Sequence, residues 1–318
     1  MTVNAQSINM KQQLQGRDLL TLADYSSEEI AYLLDLATHL KSQRKQGKVE
    51  HPLAGKTLGM IFEKSSTRTR VSFESGIYQL GGTGLFLSTA DIQLGRGEPI
   101  SDTAQVLSGY LDGIMIRTYS QSVVEELAEY ASIPVINGLT DSYHPCQVLA
   151  DMQTIQEIKG TLQGVKVAYI GDGNNMANSL MIGAAKMGMD MSIAAPVGYQ
   201  PDTEITNKAK TLANGNSIVV TDNPVEAVKD ADFVYTDVWA SMGQEDEQAE
   251  REKAFEGFQV NGELMAYAKP DVRFLHCLPA HRGEEVTADV IDGEHSVIFQ
   301  QAENRLHAQK ALMAALMG

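Results

Sequence analysis

Hydroxyl and guanidinium side chains cluster in the segment KSSTRTR (64–70), directly after the apolar run TLGMIFE. The cluster opens a segment with helical spacing that closes at a Gly-Gly pair. Free backbone N–H groups at a helix start, several hydroxyls and two guanidiniums form an oxyanion-binding corner of the kind that phosphate needs. A simple Ser/Thr cap with solvated arginines is the alternative. The position after an apolar run favours phosphate.

Two later motifs in the first half carry further polar groups. Arg117 closes the apolar run GIMIRT, and His144-Pro145-Cys146-Gln147 follows the run IPVING. Pro145 suits the first position of a helix, which places His144 and Gln147 near the helix entrance. An imidazole there can donate a hydrogen bond to a carbonyl, and an amide can hold a carboxamide. Taken singly, these motifs fit a surface arginine and a capping histidine equally well.

The segment GDGNNM (171–176) invites a dinucleotide-binding interpretation, because it follows one apolar run and precedes a helical pattern. However, Met176 replaces the third glycine of that fingerprint, and the next run, MSIAAP, ends without an acidic residue for a ribose. The pattern therefore disfavours NAD. The asparagines offer both donors and acceptors, which suits an amino-acid head group better.

Two motifs of the second half bring a carboxylate and a thiol to the ends of apolar runs. Asp237 precedes Ser241-Met242-Gly243 by four residues, and a carboxylate there can pair with a substrate ammonium, although capping is a common role for Asp. The last run ends in His276-Cys277-Leu278-Pro279. A strand cysteine is usually a buried small hydrophobe, and no neighbouring arrangement argues that Cys277 is a covalent nucleophile.

Short apolar runs, which resemble buried strands, alternate with helical patterns, and this rhythm restarts after residue 160. The sequence therefore predicts an α/β fold with two doubly wound domains, each a largely parallel sheet flanked by helices. The predicted strands are 57–63, 84–88, 113–118 and 133–138 in the first domain, and 166–171, 191–196, 217–221, 232–239 and 272–278 in the second.

The predicted first domain comprises residues 1–147, with a C-terminal helix at 302–318 that packs back on it, and the second comprises 148–301. Ser26 and Glu29 fit a capping box at the start of an early amphipathic helix. The acidic stretch 243–258 is the most loop-like part of the second half, either a solvated face or a mobile flap.

Composition narrows the class of protein. The 318 residues include 41 acidic and 25 basic ones, giving a formal net charge of -16, which argues against a broad nucleic-acid surface. No apolar run approaches the roughly 20 residues that span a bilayer, and the start of the chain has no hydrophobic secretion core, so a cytoplasmic location is expected. Cys146 and Cys277 predict neither a disulfide framework nor a metal cluster.

Together, four motifs resemble the carbamoyltransferases, and specifically the branch that uses ornithine: STRTR (66–70), HPCQ (144–147), Asp237 with SMG (241–243), and HCLP (276–279). The match runs in order from about Asp18 to the last helix. STRTR and HPxQ are shared by relatives that use other amines and indicate carbamoyl phosphate. DxxxSMG and HCLP are the ornithine signals.

The resemblance implies a set of site residues. The implied carbamoyl phosphate ligands are Ser66, Thr67, Arg68, Thr69, Gln93, Arg117, His144, Gln147, Cys277, Leu278 and Arg305, with Gln93 reaching a neighbouring subunit. The implied ornithine ligands are Asn175, Asp237, Ser241 and Met242. The implied catalytic residues are Arg117, His144, Asp237 and Cys277.

The resemblance also implies carbamoyl transfer to the δ-amine of ornithine, without a metal or organic cofactor. It implies a homo-oligomer, a trimer or a multiple of trimers, with active sites between subunits and a loop that closes over ornithine. A sister enzyme acting on putrescine, N-acetylornithine or aspartate is the competing interpretation. Enzymes that use putrescine lack the SMG loop, and an acetylated or aspartate substrate fits poorly with a carboxylate that awaits an ammonium. The broken glycine fingerprint disfavours a nucleotide-binding dehydrogenase.

Overall fold

The computed structural model describes residues 5–92, 97–241 and 243–318, without the side chains of residues 5–8 and 245. The chain forms two compact units: the first is Met1–Gln153 with Asn304–Gly318, and the second is Thr154–Glu303. Both divisions fall inside continuous helices, a few residues after the sequence-based boundaries at 147 and 301. A helix that crosses a division gives no break in composition for the sequence to reveal.

The first unit contains a four-stranded parallel sheet in the order β2-β1-β3-β4. Its strands are β1 Thr57–Phe62, β2 Thr83–Ser88, β3 Gly113–Arg117 and β4 Val135–Leu139. Its helices are α1 Ala5–Leu14, α2 Ser27–Lys45, α3 Thr67–Gln79, α4 Ile100–Ser108 and α5 Gln121–Tyr130, followed by α6 Pro145–Lys159, which runs into the second unit.

The second unit contains a five-stranded parallel sheet in the order β7-β6-β5-β8-β9. Its strands are β5 Lys166–Ile170, β6 Asp190–Ala194, β7 Ile218–Thr221, β8 Phe233–Thr236 and β9 Arg273–His276. Its helices are α7 Asn175–Met187, α8 Thr203–Leu212, α9 Pro224–Val228, α10 Gln248–Ala254, α11 Gly262–Met265 and α12 Ala288–Ile291, and α13 Ile298–Leu316 begins here and ends in the first unit.

The nine predicted strands and the α/β class are confirmed, with ends that shift by up to three residues. The capping box at Ser26 and Glu29 is also confirmed: Glu29 N–H donates to Ser26 Oγ at 3.2 Å, and Ser26 N–H donates to Glu29 Oε2 at 2.8 Å. Most strands are buried, as a parallel sheet covered by helices requires. A separate apolar cluster forms the core around each sheet.

Three local predictions are wrong. Strand β2 is not buried, since Leu85 and Phe86 are 44% and 38% exposed; β4, at the other edge of the same sheet, is buried and pairs with Leu19 through Ile136. The last helix begins at Ile298, four residues before its predicted start. The acidic stretch after Gly243 is partly helical, with a 3-10 turn at Glu245–Glu247 followed by α10.

The helical part of the acidic stretch has a local cause. Arg251 is buried, and its guanidinium donates to Glu247 Oε2 at 2.9 Å, one helical turn earlier, and to Asp172 Oδ2 at 3.0 Å. A buried cation with two carboxylate partners stabilises α10 in this conformation. Within the part of the chain described, none of the helices has the length and apolarity needed to cross a membrane.

Candidate active site

The start of α3 forms the first part of the candidate site. Ser66 is extended and caps the helix, because its Oγ accepts a hydrogen bond from Thr69 N–H at 3.2 Å. In the first turn Thr67 is exposed, Arg68 is half-buried and Thr69 is fully buried. The backbone N–H groups of this turn point out of the helix, where an anion is stabilised by the helix dipole.

The two arginines of STRTR have different surroundings. Residues 68 and 70 lie on opposite sides of a helix with 3.6 residues per turn. The Arg70 guanidinium lies over the ring of Phe86 on β2, 3.7 Å from its centroid, and pairs with Glu74 at 3.4 Å. The sequence predicted both guanidiniums in one anion-binding corner. For Arg70 that prediction is wrong, because its position on the helix directs it toward β2.

Arg117 joins the start of α3 at the carboxyl edge of the sheet. It is the last residue of β3, it pairs in register with Phe62 at the end of β1, and its carbonyl accepts a hydrogen bond from Glu63 N–H at 2.9 Å. The strand order reverses between β1 and β3, and ligands of doubly wound sheets bind at such a switch point. The 7% exposed Arg117 therefore lies where an anion is expected.

Arg305 reaches the same corner from α13. Its Nη2 donates to Thr69 Oγ1 at 3.0 Å, and its side chain is buried. The contact joins residues 236 positions apart in the sequence. The C-terminal turns of α13 therefore bring a cation to the start of α3 within the first unit.

His144 is the neutral member of this group. Burial lowers its pKa well below the usual 6.5, and the positive charges of Arg305, Arg117 and Arg68 lower the pKa further. A neutral imidazole carries one N–H and can donate it to an oxygen without adding charge. Gln147, in the first turn of α6, is buried and donates from Nε2 to Asp151 Oδ1 at 2.8 Å. We call Ser66, Arg68, Thr69, Arg117, His144 and Arg305 the phosphate corner.

Asn174 begins the polar group of the second unit. Its Oδ1 caps α7 by accepting from Met176 N–H at 2.9 Å and Ala177 N–H at 3.3 Å, and its Nδ2 donates to Asp237 Oδ2 at 3.0 Å. The preceding loop is compact, because a Cβ on Gly173 would lie 2.1 Å from Pro201 N. Asn175, which the sequence assigned to ornithine, is the first residue of α7.

Asp237 connects this loop to the end of β9. Its Oδ1 accepts from Val238 N–H at 2.8 Å and from the Cys277 thiol at 3.0 Å. The sheet register explains the meeting, since Thr236 of β8 pairs with both Ile170 of β5 and His276 of β9. The residues that follow β5, β8 and β9 therefore begin at the same height along the sheet, so their side chains can meet. We call Asn174, Asp237 and Cys277 the amine cluster.

Four other predicted site residues belong to neither of these two groups: Ser241, Leu278, Gln93 and Met242. Ser241 is partly exposed, and its backbone N–H donates to Gln244 Oε1 at 3.0 Å. Leu278 follows Cys277 with a positive φ of 58°. Gln93 and Met242 lie outside the described residues.

The sequence missed three side chains that support the site. Asn174 was not distinguished from Asn175, although an N-cap signal at the start of α7 could have identified it. Arg251 is paired with Asp172, whose pKa burial raises to about 6. Glu285 hydrogen-bonds His276. Asp172 lies 79 positions from Arg251, so no local spacing signals that pair. Glu285 lies nine positions from His276, and the path of the turn after β9 brings the two together.

Among the residues that the structure describes, two groups of side chains have the composition of metal ligands: Asp237, His276 and Cys277, and separately His281, Glu284 and Glu285. In the first group both His276 ring nitrogens are engaged, Nδ1 by Leu278 N–H and Nε2 by Glu285. In the second, Glu285 is committed to the same histidine. We therefore assign these side chains to the hydrogen-bond network of the protein rather than to a metal.

Comparison with known proteins agrees with this geometry. Residues 17–157 match the family model for the carbamoyl-P binding domain of aspartate/ornithine carbamoyltransferases, and residues 163–316 match the model for the Asp/Orn binding domain. The ornithine carbamoyltransferase of Oceanobacillus iheyensis is 69% identical over 100% of this chain and 99% of its own, and that of Bacillus subtilis is 64% identical over 96% and 95%.

A solved structure shows the same architecture. The ornithine carbamoyltransferase of Pyrococcus furiosus superposes with a TM-score of 0.94 at 59% identity, covering 96% of this chain and 98% of that one. Family models, close relatives and fold agree over nearly the whole length of the sequence. The chain therefore belongs to the aspartate/ornithine carbamoyltransferase family.

Proposed function

We propose that the chain transfers the carbamoyl group of carbamoyl phosphate to the δ-amine of L-ornithine, giving L-citrulline and phosphate. The observation that carries this proposal is the amine cluster, in which Asp237 holds both Asn174 and the Cys277 thiol at the ends of adjacent strands. A carboxylate in that position suits a cationic amino acid. The close relatives named ornithine carbamoyltransferase support the same substrate.

The phosphate corner receives carbamoyl phosphate in this proposal. Ser66, Thr67, Arg68 and Thr69 bind the phosphate at the start of α3, together with Arg305 and Arg117. Arg117, His144 and Thr69 donate to the carbamoyl oxygen, on which negative charge grows as the amine attacks. Each such donor is typically worth about 3 kcal/mol in the transition state. The depressed pKa of His144 supports its role as a neutral donor.

The remaining ligands hold the two reacting groups. Gln147 and the backbone carbonyls of Cys277 and Leu278 accept the carbamoyl NH2 in this scheme, and Gln93 reaches the carbamoyl phosphate of a neighbouring subunit. For ornithine we propose Asn175, Asp237, Ser241 and Met242. Holding both substrates in line removes much of the entropic part of the barrier.

Attack requires the neutral form of the ornithine δ-amine. Asp237 and Cys277 bind the ammonium in our proposal and assist its deprotonation, and the departing phosphate is a second acceptor for the proton. The thiol donates to Asp237 at 3.0 Å, which orients it as an electrostatic partner. We therefore assign Cys277 no covalent intermediate. The scheme uses no metal or organic cofactor.

We further propose a cytoplasmic homo-oligomer, a trimer or a multiple of trimers, with active sites between subunits and a role in arginine metabolism. In this scheme the segment from Ser241 through α10 closes over ornithine. Sedimentation of the purified protein tests the assembly. A monomer with full activity would contradict active sites shared between subunits.

The decisive experiment is a steady-state assay of the purified protein in both directions. We expect citrulline to form from carbamoyl phosphate and ornithine, with kcat/KM far above the values for putrescine, N-acetylornithine and aspartate. The same assay detects phosphorolysis of citrulline and so reports both directions. Faster turnover of putrescine than of ornithine would overturn the substrate assignment while leaving the reaction class intact.

A further inference from the structure

The turn that follows β9 has an unusual backbone. Leu278 adopts a φ of 58°, in the left-handed region that non-glycine residues rarely occupy. Such a conformation persists only where surrounding contacts over-determine it. In the proposed function the carbonyls of Cys277 and Leu278 accept the carbamoyl NH2, so whatever holds this turn also aims two substrate ligands.

The ring of His276 contacts the turn directly. Leu278 N–H donates to His276 Nδ1 at 2.8 Å. The ring itself is held firmly, since its side chain is completely buried and the His276 backbone N–H donates to Gln301 Oε1 at 2.9 Å. The left-handed residue is therefore tied to a fixed imidazole nitrogen.

This hydrogen bond requires one tautomer of His276. Because Nδ1 accepts from Leu278 N–H, the ring proton must be on Nε2; a proton on Nδ1 would set two donors against each other. Nε2 faces Glu285 Oε1 at 3.2 Å and donates to it. The carboxylate therefore selects the tautomer that the turn needs.

Glu285 is itself held in place by burial and by hydrogen bonds. Its side chain is completely buried, its carbonyl accepts from Val260 N–H at 2.9 Å, and its Oε1 also accepts from His281 N–H at 2.6 Å. A buried carboxylate costs free energy unless hydrogen bonds compensate for it. Both hydrogen bonds described for this carboxylate come from the two histidines that flank the turn.

We infer that Glu285 is a positioning residue for carbamoyl transfer: it holds His276 in the Nε2–H tautomer, and His276 then fixes Leu278 and the direction of the Cys277 and Leu278 carbonyls. Glu285 acts through His276 and touches no substrate. The inference rests on the proposed function for what the turn binds, but the tautomer itself is independent of any reaction.

The kinetic test compares Glu285→Met with Glu284→Met. Methionine is used because a glutamine oxygen in the place of Oε1 would still accept from both histidines, whereas methionine keeps the length of the side chain and removes the acceptor. Glu284 is the matched control, because it is the adjacent residue, has the same charge and is 37% exposed. We expect Glu285→Met to lower kcat by about 10- to 100-fold, the range that small misplacement of reacting groups produces. Inhibition by inorganic phosphate should stay unchanged, since the phosphate corner is built entirely by the first unit. Glu284→Met should behave like the wild type.

The spectroscopic test reads the tautomer in protein labelled with 15N-histidine. We expect the wild-type His276 signal, assigned by its loss in His276→Asn, to show the Nε2–H form, and Glu285→Met, which removes the acceptor for that N–H, to populate the Nδ1–H form as well. An Nδ1–H ring in the wild type overturns the inference, whether or not any variant folds. Failure of the wild type to make citrulline would instead remove the proposed function and leave the tautomer result standing.

A double variant separates positioning from general destabilisation. In His276→Asn the amide oxygen can take the place of Nδ1 and accept from Leu278 N–H, but the shorter side chain does not reach Glu285. If Glu285 acts through the ring, Glu285→Met should cause little further loss of kcat in this background. An equal fold-loss in both backgrounds contradicts the inference.

Discussion

The phosphate corner and the amine cluster are built on opposite principles. The corner gathers the guanidiniums of Arg68, Arg117 and Arg305 around a neutral imidazole, in a chain whose formal net charge is -16. The cluster centres on a single carboxylate, Asp237, with a hydrogen-bond donor on each oxygen. The phosphate corner offers a ligand concentrated positive charge, and the amine cluster offers it directed hydrogen bonds. Net charge therefore says little about what either site binds.

The comparison predicts that each site fails in its own way. Loss of a guanidinium should weaken the use of carbamoyl phosphate and leave ornithine recognition nearly intact. Loss of the Asp237 carboxylate should weaken the use of ornithine and leave carbamoyl phosphate recognition nearly intact. The variants that follow test this separation, beginning with the largest expected effect.

Arg68→Ala should have the largest effect. Removing a charge-assisted contact to the phosphate should lower kcat/KM for carbamoyl phosphate by about 10²- to 10³-fold. Arg70→Ala is the matched control, because Arg70 lies two residues away on the same helix but contacts Phe86 and Glu74. Steady-state kinetics with carbamoyl phosphate varied should show Arg70→Ala within a few-fold of the wild type. Near-normal turnover of Arg68→Ala would remove the phosphate site.

Asp237→Asn should weaken the use of ornithine rather than the use of carbamoyl phosphate. The amide keeps the shape of the side chain but loses the charge that pairs with an ammonium, so kcat/KM for ornithine should fall about 100-fold. The KM for carbamoyl phosphate should change little. Asp222→Asn offers a control in the same unit, since Asp222 also follows a strand and is exposed. Equal losses for both substrates would end the separation of the two sites.

The difference between the sites also explains what the sequence could predict. Arg117 and Asp237 each follow an apolar run, and the carboxyl ends of parallel strands share one edge, so local pattern sufficed to nominate them. Arg70 could not be separated from Arg68 without the helix phase and the position of β2. Arg251 was not identified, because Asp172 lies 79 positions away, and Glu285 was not identified, because the path of the turn after β9 rather than a regular spacing brings it to His276.

The fold shows the same division between local and distant causes. The strands were predicted from short apolar runs and the start of α2 from its capping box, both of which are local signals. The two edge strands of the first sheet differ in exposure, because Leu19 pairs with Ile136 of the buried β4, and such coverage of an edge is visible only in the fold. Likewise, α10 is helical because Arg251 meets a distant Asp172.

Cys277→Ser should have a smaller effect on the amine cluster. The serine hydroxyl still donates to Asp237, so the network survives with altered length and acidity, and kcat should fall about 10-fold, as for one perturbed hydrogen bond of roughly 1.4 kcal/mol. Mass spectrometry of wild-type protein quenched during turnover should show no mass added to Cys277. A carbamoyl-cysteine adduct that forms and decays at the rate of turnover would contradict the non-covalent role.

The smallest expected effect concerns pH and the phosphate corner. Burial and three guanidiniums hold the pKa of His144 well below 6.5, so the folded chain keeps this ring neutral while the unfolded chain protonates it near pH 6.5. The unfolded state therefore binds more protons as pH falls, and stability is lost below about pH 6.5. For one such histidine the loss at pH 6 is about 1 kcal/mol.

This loss can be isolated by comparing thermal unfolding of the wild type and His144→Asn at pH 7.5 and pH 6. The wild type should lose more stability than the variant over this interval, because the variant lacks the titrating ring. Equal losses would mean that His144 is readily protonated in the folded chain. The corner would then hold a fourth cation, and its imidazole would act on the carbamoyl oxygen as a charge rather than as a neutral donor.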